Sequence, residues 1–242
     1  MIPWIEMCKD LSKPIGIVCG QEGSIDLQRQ IEICEYLIEM FKDYAKNDEY
    51  RKRCIKSGIA KSLVNMFENW KVEDIKEQHS LAFRNLTVTD NNEILQCLFT
   101  LNPFKGLLNL LNHSNSNIQS SGIDSIFNIQ KGGLNSTSES EIHPYFDAIA
   151  SIGGIGKIYE FMNRNNTNKD CKDTAAIIIG FFYKARKIEN VEMMINVIKH
   201  LKSIVNDQDE WTQSASRKAL RYLAQNLDNK NEIEKDDFVI PT

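Results

Sequence analysis

The sequence contains no apolar run approaching the roughly 18 residues that a membrane-spanning helix requires. Its first ten residues, MIPWIEMCKD, do not have the form of a secretory signal peptide. Ile2 stands where N-myristoylation requires a glycine. We therefore expect no transmembrane segment, and contact with a membrane only through a lipid anchor that this chain does not carry.

Patterns of metal-binding or catalytic residues are also missing. No two of the six cysteines form a C-x-x-C pair, and none of the four histidines lies in an H-E-x-x-H segment. The glycines between 153 and 156 follow no predicted strand, so they indicate a turn between helices rather than a dinucleotide-binding loop. We therefore expect no enzymatic activity, no metal and no cofactor. Unpaired cysteines act as small apolar residues in a reducing compartment, which predicts a cytoplasmic location.

Basic residues show no excess that would suggest nucleic acid as a partner. Lysine and arginine number 29 against 33 aspartates and glutamates, and the formal net charge is −4. The basic clusters at residues 51–53 and 184–187 are short, and we expect them to be solvated helix ends. Asparagine is abundant at 23 residues, and lysine outnumbers arginine 21 to 8, a bias that resembles proteins from AT-rich genomes.

What the sequence does contain is a helical pattern that repeats. Apolar residues recur at intervals of three and four between Leu27 and Phe41, which is typical of an amphipathic helix. Similar apolar segments begin 44, 51 and 43 residues apart, at Leu63, Leu107, Ile158 and Leu201. Small residues of a following helix are spaced by 43, 51 and 43, at Ala82, Ser125, Ala176 and Ala219. These matched spacings predict stacked units of two or three helices that share one core, as in HEAT or armadillo solenoids.

The repeats also predict where the chain departs from regularity. The spacing of 51 indicates an insertion of about eight residues, which maps to Lys131–His143 and predicts a mobile loop. Turns before the second helices are expected at Ser57-Gly58, Asn102-Pro103 and Gly153-Gly154, whereas the last repeat offers Glu189-Asn190.

The ends of the chain differ in composition from the repeats. Residues 1–26 are rich in glycine and proline and predict an irregular lead-in with one short helix at Trp4–Leu11. Residues 27–227 are expected to form a single repeat domain. The polar residues 228–242 predict a poorly ordered tail.

The repeats resemble those of the armadillo family, in which a glycine turn precedes the second helix and the third helix contains a conserved asparagine. Gly58-Ile59 with Leu63–Phe67 carries the resemblance, as does Glu77-Gln78 followed by Leu81–Leu86. The resemblance covers about residues 27–227. It implies an all-α fold, an armadillo-like right-handed solenoid of about five three-helix repeats, the first and last incomplete.

In the armadillo family the third helices line a concave groove that binds extended segments of partner proteins. The groove positions align with Gln78, Leu81, Asn85, Ser121, Asp124, Asn128, Ala175, Ile179, Lys218 and Tyr222. Asn85 and Asn128 match the asparagine that bonds a partner's backbone, which is the interpretation we favour over a structural bond to the neighbouring repeat. Leu81, Ala175 and Ile179 are open to a second interpretation as core residues.

The resemblance implies a non-enzymatic protein-interaction adaptor, and three kinds of partner are considered. A nuclear-import adaptor is the least favoured, because groove tryptophans are replaced by Leu81, Asp124, Ala175 and Lys218. Tyr44–Gly58 is similar to a segment of armadillo-type guanine-nucleotide dissociation stimulators, which implies a small GTPase as partner.

The composition and repeat organisation are similar to the "armadillo repeats only" proteins of apicomplexan parasites. That resemblance implies an acylated protein on the cytosolic face of rhoptries, which are apical secretory organelles. It further implies that the protein positions the organelle through a myosin motor and an adenylate cyclase. Of the three, this specific function is the one we favour from the sequence.

Overall fold

The computed structural model describes residues 2–13, 22–42 and 47–242, and for residues 22–25 it describes only the backbone. Within this part of the chain every regular element is a helix. The chain divides into two compact units, Met1–Gly132 and Gly133–Thr242.

The first unit holds seven complete α-helices and most of an eighth. These are α1 (Trp4–Leu11), α2 (Glu22–Met40), α3 (Asp48–Lys56), α4 (Ile59–Asn69), α5 (Glu77–Thr87), α6 (Asn92–Phe99), α7 (Phe104–Leu110) and α8 (Ser116–Leu134), within the described residues. A short 3₁₀ helix, Val72–Asp74, joins α4 to α5.

The second unit begins at the end of α8 and holds the remaining helices. These are α9 (Phe146–Ala150), α10 (Gly154–Asn163), α11 (Lys169–Phe182), α12 (Val191–Ser203), α13 (Glu210–Leu223) and α14 (Leu227–Ile233). A 3₁₀ helix, Lys235–Asp237, follows α14.

The helices repeat one arrangement. The sets α3–α5, α6–α8 and α9–α11 each consist of a first, a second and a third helix, and the third helix is longer than the second in the last two sets. α1 packs on α4 and α2 packs on α5, so they correspond to the second and third helices of an incomplete first repeat. α12 and α13 form a last repeat whose preceding residues, 183–190, contain no helix. This is the order of three-helix repeats, incomplete at both ends, that the resemblance to armadillo repeats implies.

A residue with left-handed backbone conformation joins each first helix to its second helix. Gly58 has a φ of 91° and Gly153 a φ of 64°, and Asn102 takes the same part with a φ of 55°. Glycine and, less readily, asparagine tolerate this conformation, so the three predicted turns are confirmed. In the last repeat Asn190 instead caps α12, where its side chain accepts a hydrogen bond from the Met193 N–H.

The core of each unit is the shared face of successive second and third helices. In the first unit Leu63 and Phe67 of α4 are fully buried, and the Phe67 ring stands edge-on to Phe83 of α5 with the centroids 5.7 Å apart. α4 also packs on α7, where a Cβ on Gly106 would lie 2.9 Å from that of Phe67. The repeats therefore approach closely only because a glycine stands at this contact.

The predicted loop at Lys131–His143 is wrong at both of its ends. α8 continues through two glycines to Leu134, because Gly132 packs so closely on α6 that a Cβ would lie 2.7 Å from that of Leu95. His143 is buried, with its ring centroid 4.9 Å from that of Phe182. The insertion is therefore residues 135–145, which we name the connector, and it is exposed mainly at residues 138–142.

The N-terminal lead-in is more helical than its composition predicts. The predicted helix at Trp4–Leu11 is confirmed as α1, and its buried residues Met7 and Leu11 belong to the core. α2 already begins at Glu22, inside the segment predicted to be irregular. The rest of that segment, residues 14–21, lies outside the described residues.

The prediction of a poorly ordered C-terminal tail is also wrong. Arg217 of α13 donates a hydrogen bond to the carbonyl oxygen of Thr242 over 2.8 Å. Asn229 of α14 is fully buried, accepts the Ile188 N–H at 3.1 Å and donates to the Arg186 carbonyl at 2.8 Å. The Asn229 bonds satisfy backbone groups of the segment before α12, and the Arg217 bond holds Thr242 on α13, so the tail is bonded to the last repeat.

Glycine at the contact between α11 and α13 gives a test of this packing. Gly180→Ala should destabilise the second unit by about 1–3 kcal/mol, because the new Cβ would lie 2.9 Å from that of Ala219. Gly156→Ala on α10 is the matched control, since nothing lies within 4 Å of its added Cβ, and it should raise stability by up to about 1 kcal/mol. Urea unfolding of both variants measures the difference, and equal effects would contradict the close contact.

Candidate functional site

The predicted binding surface is built from third helices. The residue at which a third helix begins therefore determines which of its side chains lie on that surface. α5 begins where the backbone N–H of Lys76 donates to Nδ1 of His79 over 3.1 Å. His79 is fully buried with its ring edge-on to Trp70, the centroids being 5.7 Å apart. Burial, with a smaller contribution from Lys76, lowers the pKa of His79 to about 4. A neutral imidazole therefore caps α5 and holds its orientation.

In the first unit α5 and α8 bring their predicted positions together through polar contacts. Nε of Arg84 lies 2.7 Å from Oδ2 of Asp124, and both side chains are about one-third exposed or less. Gln78 and Leu81 of α5 are half-buried. Ser121 of α8 is buried, so it offers a partner almost no surface.

We name the accessible part of this surface the α5–α8 strip. It consists of Gln78, Leu81 and Asn85 on α5 with Asp124 and Asn128 on α8. The Asp124 carboxylate of the strip is paired with Arg84. The strip is therefore an uncharged surface of amide and apolar groups.

The two asparagines of the strip differ in their hydrogen bonds. Nδ2 of Asn128 donates to the Thr87 hydroxyl of α5 over 3.0 Å, which is a structural bond between neighbouring repeats. Asn85 is 7% exposed, and its side-chain amide makes no hydrogen bond with any described residue. Its backbone oxygen accepts a hydrogen bond from Nη2 of Arg51 at 3.4 Å. Asn85 therefore keeps both a donor and an acceptor for a partner's backbone.

Two predicted groove residues of the second unit are not accessible. Ala175 and Ile179 of α11 are each 0% exposed. The prediction that they face a groove is wrong, and their alternative interpretation as core residues is correct. The physical reason is that α11 packs on α10, α12 and α13 at once, and a helix enclosed on several sides is apolar all round.

The remaining predicted residues, Lys218 and Tyr222, lie one turn apart on α13. Lys218 is exposed, and its Nζ is 5.5 Å from the centroid of the Tyr222 ring. Nζ of Lys184 is 5.3 Å from the same centroid, and Phe181 meets the ring edge-on at 5.5 Å. Tyr222 is thus an aromatic ring, 6% exposed, between two cations.

Two basic residues that we predicted to be solvated are fully buried. Arg51 of α3 donates to Oδ1 of Asp48 over 3.2 Å, and Lys184 donates to the carbonyl oxygen and hydroxyl of Thr137 at 3.4 and 2.9 Å. Burial lowers the pKa of both groups. A helical stripe could have revealed Arg51, since Cys54, three residues later, is buried on the same face.

The most polar cluster of the second unit joins α11 to α12. The carboxylate of Asp173 lies 2.7 Å from Nε2 of His200 and 2.6 Å from Nζ of Lys169. Burial raises the pKa of Asp173, but the hydrogen bonds from His200 and Lys169 outweigh burial, and the pKa lies below its usual value. The nearby Ser203 hydroxyl donates to the His200 carbonyl and not to its ring, so this is a structural charge network rather than a nucleophile–base pair.

The described part of the chain contains neither a metal-binding cluster nor a disulfide bond. No group of three histidine, cysteine or acidic side chains there could hold a metal ion. The cysteines at positions 8, 34, 54, 97 and 171 are free thiols, and Cys19 lies outside the described residues. No helix of the described chain is long and apolar enough to cross a membrane.

Similarity to known proteins appears in structure and not in sequence. No family model matches the chain, and no curated protein matches it by sequence. A designed armadillo repeat protein in complex with the peptide (KR)4 superposes with a TM-score of 0.67 at 16% identity, covering 97% of this chain and 87% of that one. A computationally designed armadillo repeat protein for modular peptide recognition gives 0.65 at 17% identity, covering 96% and 87%. The fold is an armadillo-like repeat.

A third similar structure, described as an engineered protein, has a TM-score of 0.68 at 16% identity and covers 96% of this chain and 84% of its own. The predicted fold class, all-α with armadillo-like repeats, is therefore confirmed. At this level of identity the likeness concerns the fold.

The buried cap of α5 predicts a dependence of stability on pH. The pKa of His79 is about 4 in the folded chain against an ordinary 6.5, so between these values the unfolded chain binds a proton that the folded chain does not. The contribution of His79 to the free energy of unfolding should therefore fall by about 3 kcal/mol between pH 6.5 and pH 4 and stay constant below pH 4. Urea unfolding at a series of pH values measures this. In His79→Asn the amide oxygen can accept the same N–H, but the fall in unfolding free energy between pH 6.5 and pH 4 should be smaller by that amount. An unchanged dependence of stability on pH would contradict the assignment.

The two asparagines of the strip should differ in their contribution to stability. Asn128→Ala should lower the free energy of unfolding by about 1 kcal/mol, because the bond to Thr87 is lost. Asn85→Ala should cost less, since its amide bonds to no described residue. Denaturant unfolding of the two variants compares their losses of unfolding free energy. Thr87→Val completes a double-mutant cycle that isolates the bond between Asn128 and Thr87. A larger loss for Asn85→Ala would reverse the two roles.

Proposed function

We propose that this protein is a non-enzymatic adaptor whose α5–α8 strip binds an extended segment of a protein partner. The observation that carries the proposal is the side-chain amide of Asn85, which bonds to no described residue although only 7% of the residue is exposed. The amide atoms of Asn85 keep some contact with solvent, so a bound peptide backbone can replace water as their hydrogen-bond partner.

The chemistry of the strip suits an extended backbone. Such a segment presents both N–H and C=O groups that need partners, and an asparagine amide supplies one acceptor and two donor hydrogens. Leu81, one turn before Asn85, adds a half-buried apolar contact, and Gln78 adds a second amide. Together these side chains can bond a backbone while accepting a range of uncharged partner side chains.

The names of similar structures support peptide binding, although the α5–α8 strip has a chemistry of its own. One designed neighbour is in complex with the basic peptide (KR)4, and another is designed for modular peptide recognition. In the present chain Asp124 is already paired with Arg84, and all three tryptophans lie outside the strip, at Trp4, Trp70 and Trp211. A nuclear-import adaptor that selects lysine side chains is therefore not favoured. Binding should depend only weakly on salt, since no net charge is involved.

A more specific role within this class is the positioning of rhoptries at their cytosolic face, with a myosin motor and an adenylate cyclase as partners. Its support is the similarity of composition and repeat organisation to the armadillo-repeats-only proteins. Binding of the chain to a purified myosin tail or cyclase domain, compared with a small GTPase, would distinguish it from the main alternative.

That alternative, regulation of a small GTPase, depends on the segment Tyr44–Gly58. Residues 44–46 of this segment lie outside the described residues, and the rest forms α3 and the following turn. Arg51 and Cys54 of α3 are fully buried. Their part in the resemblance is thus explained by the packing of a first helix, which lowers its weight as a sign of GTPase binding.

Selection of binders from a displayed library of short peptides tests the adaptor proposal. Asn85→Ala and Leu81→Ala should each lower the affinity for the selected peptides about tenfold. The first removes a hydrogen bond and the second an apolar contact that are made only in the complex. Their far-UV circular dichroism should remain that of the parent chain.

Asn69→Ala is the matched control for this experiment. Asn69 is exposed on α4, a second helix, and its amide donates only to the Asn65 carbonyl of the same helix at 2.8 Å. Its substitution should leave peptide affinity unchanged. Peptides that bind Asn85→Ala and Leu81→Ala as tightly as the parent chain would exclude the α5–α8 strip.

A further inference from the structure

The Tyr222 ring of the second unit carries two cations with no acidic partner in direct contact. Lys218 is exposed and forms no ion pair with any described residue. Lys184 is fully buried, and its ammonium group donates to Thr137 of the connector instead of to a carboxylate. A buried cation without a counter-ion lowers stability, so negative charge placed near Lys184 would be favourable.

The connector supplies part of that charge at a distance. Glu141 and Glu139 oppose the effect of burial on the pKa of Lys184, whereas Lys218 lowers it further. Both glutamates are exposed, and neither forms an ion pair with a described residue. The sequence of residues 136–141 is STSESE, which is an acidic, hydroxyl-rich segment without regular secondary structure.

Two anchor points hold the connector on the second unit. The first is Thr137 on Lys184, and the second is His143, whose ring is buried against Phe182. Residues 138–142 between the anchors are exposed. The connector therefore contacts Lys184 through the hydroxyl and carbonyl oxygens of Thr137, while its two glutamates stay exposed.

The backbone beside Lys184 holds its side chain in place over the ring. Ala185 has a φ of 55°, a conformation that costs free energy in a residue other than glycine. Its N–H donates to the Tyr222 carbonyl over 3.1 Å, which ties this turn directly to α13. The position of Lys184 is therefore set by the fold and does not depend on the connector alone.

We propose that Lys184, Lys218 and Tyr222 form a binding surface for an acidic extended segment of a protein partner, and that the connector occupies this surface in the free chain. The inference rests on the proposed adaptor function and names the partner class for its second unit. Charge complementarity selects the occupant, because two cations lie within 5.5 Å of the centroid of one ring and the connector that contacts Lys184 through Thr137 is acidic.

A peptide with the sequence of residues 135–143, labelled with fluorescein, is the probe for this surface in the full chain. The tethered connector competes at an effective concentration on the order of millimolar, so the parent chain should bind the peptide weakly. Glu139→Gln with Glu141→Gln in the chain changes exposed residues only, and should strengthen peptide binding about tenfold. In that background Lys218→Glu should abolish the gain.

Lys199→Glu is the matched control, because it makes the same charge change at an exposed position on α12 of the same unit. It should leave peptide affinity unchanged, and a peptide in which both glutamates are glutamines should bind about tenfold more weakly. Equal affinity of all chain variants, or an equal loss for Lys199→Glu and Lys218→Glu, would overturn the proposal. Because the α5–α8 strip is untouched, such a failure would leave the test with Asn85 and Leu81 unaffected.

Discussion

Burial of apolar helix faces between neighbouring repeats is the interaction on which the whole structure depends. A three-helix repeat cannot cover its own second and third helices, and each buried leucine or phenylalanine contributes roughly 1.5–3 kcal/mol only when the next repeat stacks on it. The close approach at Gly106 and Phe67, and again at Gly180 and Ala219, shows how tightly the repeats must fit. These contacts fix the positions of the helices, and the helices in turn position the turns and the polar surfaces.

The repeat architecture could be predicted from the sequence because it follows from periodicity. Apolar segments spaced by 43 or 44 residues located the second helices, and the left-handed turns fell at residues that tolerate positive φ, such as Gly58 and Asn102. The end of α8 could not be predicted in this way. Two glycines in succession lower helix propensity, yet the packing of Gly132 on Leu95 keeps the helix intact, so tertiary contact overrides local preference.

The candidate surfaces were only partly predictable, because the same position of a repeat is surface in one place and core in another. Leu81 and Ala175 occupy equivalent positions, but the first is half-buried whereas the second is fully buried where α11 packs on three helices. Buried polar residues were harder still. Lys184 stands in a short basic run, and only the three-dimensional contact with Thr137 and Tyr222 shows that it is not a solvated helix end.

Polar side chains that lack a bonded partner of matching chemistry support the proposal that the surfaces of this fold bind other molecules. Asn85 keeps an amide without a bond to any described residue, and Lys184 keeps a buried charge without a counter-ion. An apolar side chain at position 184 would remove a desolvation cost of about 1 kcal/mol or more. Stability alone therefore does not explain Lys184. A partner that supplies a backbone to Asn85, or negative charge near Lys184, would give each of these groups a bonded partner.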